Sequence, residues 1–261
     1  MARWKTASVA AGAVLLLAAM KILPWGFGFA GGKYLYETVA GRHDDPARLT
    51  TAQVSEHLQN QDFQIFKAIK QEFPDDYDAV VQKITTVARS GGSREDVSDA
   101  SRVSVADLRK KYAPLLLSAP ERSAMEALGA QLDMLNHVMA KQPSATCNRY
   151  VREGPSAIEA PDQAFMMNLD RIGATLFHAF GAARNSGLPA TAASDEDWSM
   201  LASALAKAGA TQDEMKAIAE PNPESAELCP IFAKLYAAAL SLQGEPGRHV
   251  KATLLYEIAR N

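Results

Sequence analysis

Met125, Leu128, Leu132, Leu135 and Met139 step along the chain by 3, 4, 3 and 4 residues. That spacing returns to one side of an α-helix and cannot be matched to a strand, whose faces alternate every second residue. The same period recurs through most of the chain. Val54, Leu58, Ile65 and Ile69 form one stripe ahead of Pro74, and Tyr77, Val80, Val81, Ile84 and Val87 form the next. Leu108, Tyr112, Leu115 and Leu116 follow, with Pro114 kinking or ending the segment. Further on come Phe165, Leu169, Ile172, Leu176 and Phe180, then Trp198, Leu201 and Leu205. Ile231, Leu235 and Leu242, and finally Leu254, Leu255 and Ile258, complete the series. No alternating pattern of useful length competes with it. The expected fold is all-α, a bundle of αα-hairpins.

Punctuation agrees with the period. Ser118-Ala-Pro-Glu121 and Thr211-Gln-Asp-Glu214 have the spacing of capping boxes, and Asn222-Pro223 reads as an N-cap followed by proline in the first turn. Val87–Val97 and Leu205–Met215 correspond type for type: helix, glycine, Ser/Thr cap, acidic first turn, next helix. Two corners reaching the same local chemistry is the favoured explanation over a duplicated hairpin.

The first 32 residues follow another logic. Ala7 to Met20 carries 14 residues without a charge, preceded by Arg3 and Lys5, and the apolar character resumes after Lys21. A helix over all of Ala7–Gly32 would reach roughly 39 Å, beyond a ~30 Å hydrocarbon core. A span ending near Trp25 fits better, with Lys21, Trp25 and Tyr34 at the membrane interface and the glycines from 26 to 32 as a loose exit. Residues 1–32 are therefore expected to be a membrane anchor, with a cleaved signal peptide or a buried soluble helix as alternatives. Residues 33–46 form a juxtamembrane linker, and 47–261 form the helical domain. A division of that domain near 142–162, where the period lapses, competes with a single body. Basic residues ahead of the span set the expected location: a single-pass protein of the bacterial inner membrane with its C-terminal domain in the periplasm.

Two cysteines, Cys147 and Cys229, suit that compartment as a disulfide, worth roughly 4–5 kcal/mol on the chain-entropy account. Behind Cys147, the residues Arg149, Tyr150 and Arg152 read as a loop able to meet a carboxylate, a phosphate or a protein partner. The net charge of -3, from 27 basic and 30 acidic residues without a basic run, argues against a nucleic-acid partner.

Catalytic and metal-binding patterns are missing. The five histidines are scattered, no HExxH, GxSxG or phosphate-binding loop occurs, and Asp75-Asp76-Tyr77-Asp78 lacks the glycine and spacing of a calcium loop. Those acids suit a helix start instead. Methionines near His137 and His178 fall on other helix faces, so no metal or cofactor is expected. The leading expectation is a membrane-anchored module that binds or scaffolds another envelope macromolecule, with a protein as the expected partner. Its rivals are a small-ligand binder or enzyme with a pocket formed by Phe165, Met167, Phe177 and Phe180, or a soluble cytosolic helical protein.

Overall fold

Several helices begin where a short polar side chain stands before an apolar period, and the computed structural model describes residues 49–60, 63–219 and 227–261. In chain order they are α1 Thr51–Asn60, α2 Gln64–Glu72, α3 Pro74–Arg89, α4 Arg94–Tyr112, α5 Glu121–Lys141, α6 Ser144–Glu153, α7 Gln163–Asn185, α8 Asp195–Lys207, α9 Gln212–Ala219, α10 Leu228–Ser241 and α11 Gly244–Arg260. Two 3-10 turns, Ala113–Ser118 and Gly154–Ala157, follow α4 and α6. No strand occurs among the described residues, and the chain is all-α there. The expected anchor with Lys21, Trp25 and Tyr34, the linker 33–46 and the Asn222-Pro223 cap lie outside the described residues. Among the described residues, no helix is long and apolar enough to cross a membrane.

The two matching corners have the same geometry. Gly91 ends α3 at φ +79° and Gly209 ends α8 at φ +80°, a left-handed conformation that costs glycine little. Gly92 N–H then donates to Val87 O at 3.0 Å, and Ala210 N–H donates to Leu205 O at 3.0 Å. Reciprocal capping follows in both. Ser93 N–H donates to Asp96 Oδ2 at 2.7 Å while Asp96 N–H donates to Ser93 Oγ at 3.2 Å. Thr211 N–H donates to Glu214 Oε2 at 2.7 Å while Glu214 N–H donates to Thr211 Oγ1 at 3.2 Å. The box expected at Ser118 does not form, because α5 starts only after Pro120, which stands at the N-cap without a side-chain bond.

The stripe expected from Val54 to Ile69 is divided between α1 and α2, and the reason lies far along the chain. Phe63 precedes α2 and offers no cap. Asp170 of α7 supplies it: its carboxylate accepts Gln64 N–H at 2.7 Å and Ile65 N–H at 3.1 Å. α2 lies close against α7 because Gly173 and Gly181 face it. A Cβ at Gly173 would strike Ile65, and one at Gly181 would strike the Glu72 carboxylate.

Buried apolar residues from Leu49 to Ala259 belong to one cluster. α7 sits at its centre, touching α2 and α5, and α5 also touches α10 and α11. These neighbours broaden and rotate the buried face of α5 relative to the expected seam. Ala124, Ala127, Gln131, Met134 and Val138 are buried beside Leu128 and Leu135, whereas Met125 is 45% exposed. An aromatic layer closes the α3–α4 end. Phe73 stacks on Tyr112 at 3.9 Å, and Phe177 meets Phe180 edge-on at 5.4 Å.

Candidate functional site

Proline and glycine frame α6. Pro143 stands at its N-cap, and Gly154 ends it at φ +71°. The stretch expected as a loop is therefore helix, and its period sorts the candidate binding residues to different sides. Cys147, Tyr150 and Val151 point into the core. The Tyr150 ring lies edge-on to Phe165 at 6.1 Å, and burial pushes its phenol well above the ordinary value. Tyr150 thus cannot serve as a surface recognition group. Arg149 and Arg152 are half-buried on the outer side, and the Arg149 guanidinium donates to Ala157 O at 3.2 Å and lies 3.8 Å from Glu159.

Cys147 and Cys229 are both buried and joined, with Cα atoms 5.9 Å apart. The bond fastens α6 to the start of α10. Next to it, Asn148 Oδ1 accepts Leu228 N–H at 2.9 Å and Cys229 N–H at 3.4 Å, because Glu227 at the N-cap provides no side-chain bond. A cavity of about 150 Å³ lies beside the sulfurs, bounded by Met139, Gln142, Ser144 and Pro230.

A second polar cluster joins α8 to α11. Asp197 Oδ2 accepts Ser194 N–H at 2.9 Å and lies 3.1 Å from His249 Nδ1. Arg248 Nη2 is 2.9 Å from His249 Nε2 and 2.8 Å from Glu245 Oε2. A guanidinium has only donors, so Nε2 accepts, and the ring proton sits on Nδ1, donated to Asp197. The Asp–His pair resembles the orienting half of a catalytic triad, but Nδ1 ties α11 to α8 and Nε2 is occupied by Arg248 of the same helix. Lys251, 1% exposed, donates to Leu242 O at 2.6 Å and to Glu121 at 3.2 Å. Arg109 of α4 donates to Ile258 O at 2.9 Å near the C-terminus of α11, where the helix dipole favours a cation. Burial pushes its guanidinium down to about 10, and it remains charged at neutral pH.

His137 and His178 are also engaged. His137 Nε2 lies 3.0 Å from Asp162, and His178 Nδ1 lies 3.0 Å from Glu72. Among the described residues, no group of three or more His, Cys, Asp or Glu side chains gathers as metal ligands. Phe165, Phe177 and Phe180 are buried in the core, while Met167 is 65% exposed, so these four residues do not surround a common pocket.

A surface concavity lies between α8 and the end of α10. It measures about 510 Å³ and is lined by Ser199, Met200, Ser203 and Ala204, flanked by Glu196 and Lys207, with Ser241 and Leu242 on the far wall. Its α8 residues recur at helical spacing on the side opposite Trp198, Leu201 and Leu205, which are buried. That second stripe was readable beside the first, although serine and alanine give it little apolar contrast. No protein-family model matches the chain, and no curated protein or solved structure matches it either.

Proposed function

We propose that this chain is a binding or scaffolding module of the bacterial envelope, tethered by its N-terminal segment in the inner membrane with the helical domain in the periplasm, and that its partner is a protein. The observation that carries this reading is the buried Cys147–Cys229 pair. Disulfides persist in oxidising compartments such as the periplasm and are rare in a reducing cytosol. The uncharged Ala7–Met20 run behind Arg3 and Lys5 supports the tether. The many side-chain links between helices suit a rigid module that presents a fixed surface to a partner.

Peptide mapping of native protein without reductant is the primary test. A linked pair of peptides containing Cys147 and Cys229 is expected, and two free thiols overturn the exported reading. Retention in membranes through an alkaline wash is expected, and release into the soluble fraction overturns the tether. Cross-linking in intact cells followed by mass spectrometry identifies the partner.

A further inference from the structure

We infer that the outer face of α8 is a self-association surface that takes the α8 helix of a second copy of this chain in antiparallel orientation. The argument starts from the six α8 positions along the groove: Glu196, Ser199, Met200, Ser203, Ala204 and Lys207. Their spacing reads the same in both directions. If a second α8 is laid alongside in the opposite sense about a two-fold axis, Glu196 faces Lys207, Ser199 faces Ala204, and Met200 faces Ser203. Each position finds its complement within the same set, which is the requirement for an isologous interface.

Chemistry agrees with that register. Met200 is 41% exposed, a large apolar side chain on an otherwise small-residue face. Opposite it the second copy presents Ser203, beside Ala204 and Leu242, so a flexible thioether enters a shallow hollow. Serine and alanine allow close approach of the two helices. The charges stand at opposite ends, about 16 Å apart along the axis. Among the described residues, neither Glu196 nor Lys207 has an ion-pair partner within its own copy. Antiparallel pairing satisfies both twice, whereas parallel pairing sets like charges together. The face is roughly 20 Å long, small beside the ~800 Å² per partner typical of stable interfaces, so a weak, reversible dimer is expected. The proposal holds whichever compartment the chain occupies.

Sedimentation equilibrium of the full-length chain in density-matched mild detergent tests it, with circular dichroism confirming that every variant is folded. A reversible monomer–dimer equilibrium is expected. Glu196→Lys and Lys207→Glu each replace two attractive pairs with two repulsive ones and should weaken the dimer about tenfold. The double variant E196K/K207E restores the complementarity and should return to within about threefold of the parent. Mixing M200C with S203C under mild oxidation should trap a cross-linked dimer containing one of each. A chain that stays monomeric to about 1 mM overturns the proposal. A dimer indifferent to the single charge reversals, or one that the double reversal fails to restore, also overturns it. An α8 face that binds only a different protein gives a monomer here and is covered by the first of these results.

Discussion

Two classes of helix start lie side by side in this protein. α4, α8 and α9 are capped from within their own sequence, by Ser93 with Asp96, Ser194 with Asp197, and Thr211 with Glu214. α2 and α10 are capped from elsewhere, by Asp170 of α7 and Asn148 of α6. The chemistry is similar in both classes, an oxygen accepting the amides that a helix leaves unpaired. The consequences differ. A local cap fixes where a helix begins, whereas a remote cap also fixes where it lies. Asp170 and Asn148 each define an end and a packing partner at once, and both are buried where water cannot replace them.

Substitutions that separate the two classes should differ in size. Replacing both Cys147 and Cys229 by alanine frees the start of α10 from α6 and should lower stability by about 4 kcal/mol in denaturant unfolding. Asp170→Ala leaves two amides of α2 without an acceptor and should cost about 2–3 kcal/mol. Asp170→Asn is the gentler probe, and it adds a pH signature. Burial raises the Asp170 carboxyl above its ordinary value, against the opposing pull of the Gln64 and Ile65 amides and Lys67. Between the ordinary carboxylate range and the raised value the folded chain holds a proton that the unfolded chain has lost. The stability of the parent relative to D170N should therefore fall as pH rises from the ordinary carboxylate range through the folded value, and level off beyond it. A flat difference would show that desolvation does not dominate at this carboxylate.

Asn148→Ala should cost about 1–2 kcal/mol, and its cost should change in the cysteine-free background because both groups hold the same helix start. The smallest effects belong to the local caps, with Ser93→Ala and Thr211→Ala each worth about 1 kcal/mol or less. These two should also part company. α4 is held by Val97, Val105 and the Arg109 bond, so its cap should register in global unfolding. α9 buries Ile218 and touches α10 through Lys234–Glu214, and its loss should appear as faster amide exchange confined to α9. Equal effects on both would break the distinction.

The same division governs what was legible in advance. Both glycine corners could be read because glycine, cap and acid stand within six residues of one another. The partners Asn148–Leu228 and Asp170–Gln64 are 80 and 106 residues apart, and no local pattern joins them. The division of the Val54–Ile69 stripe was hidden for that reason. Tyr150 differs, because its burial follows from a local pattern. Pro143 and Gly154 frame a helix of ordinary length, and with that helix drawn, Cys147, Tyr150 and Val151 fall on one side. On α5 the large residues drew attention from Ala124, Ala127 and Ala130, which carry much of the buried face because several helices crowd it. The candidate surface on α8 is made of small and polar side chains, so hydropathy alone passes over it.

The link between Cys147 and Cys229 also alters how the molecule would carry a mechanical load. Cys147 and Cys229 stand 82 positions apart, and tension applied at the two ends of the chain would cross from α6 to α10 through the sulfurs. α7, α8 and α9 lie inside the bypassed loop and would bear no pull. At about 3.4 Å per residue, the bond withholds roughly 280 Å from the greatest extension the chain could reach. A domain tethered at one end and gripped by a partner at the other would then stretch only through its outer helices, leaving the face of α8 intact under strain.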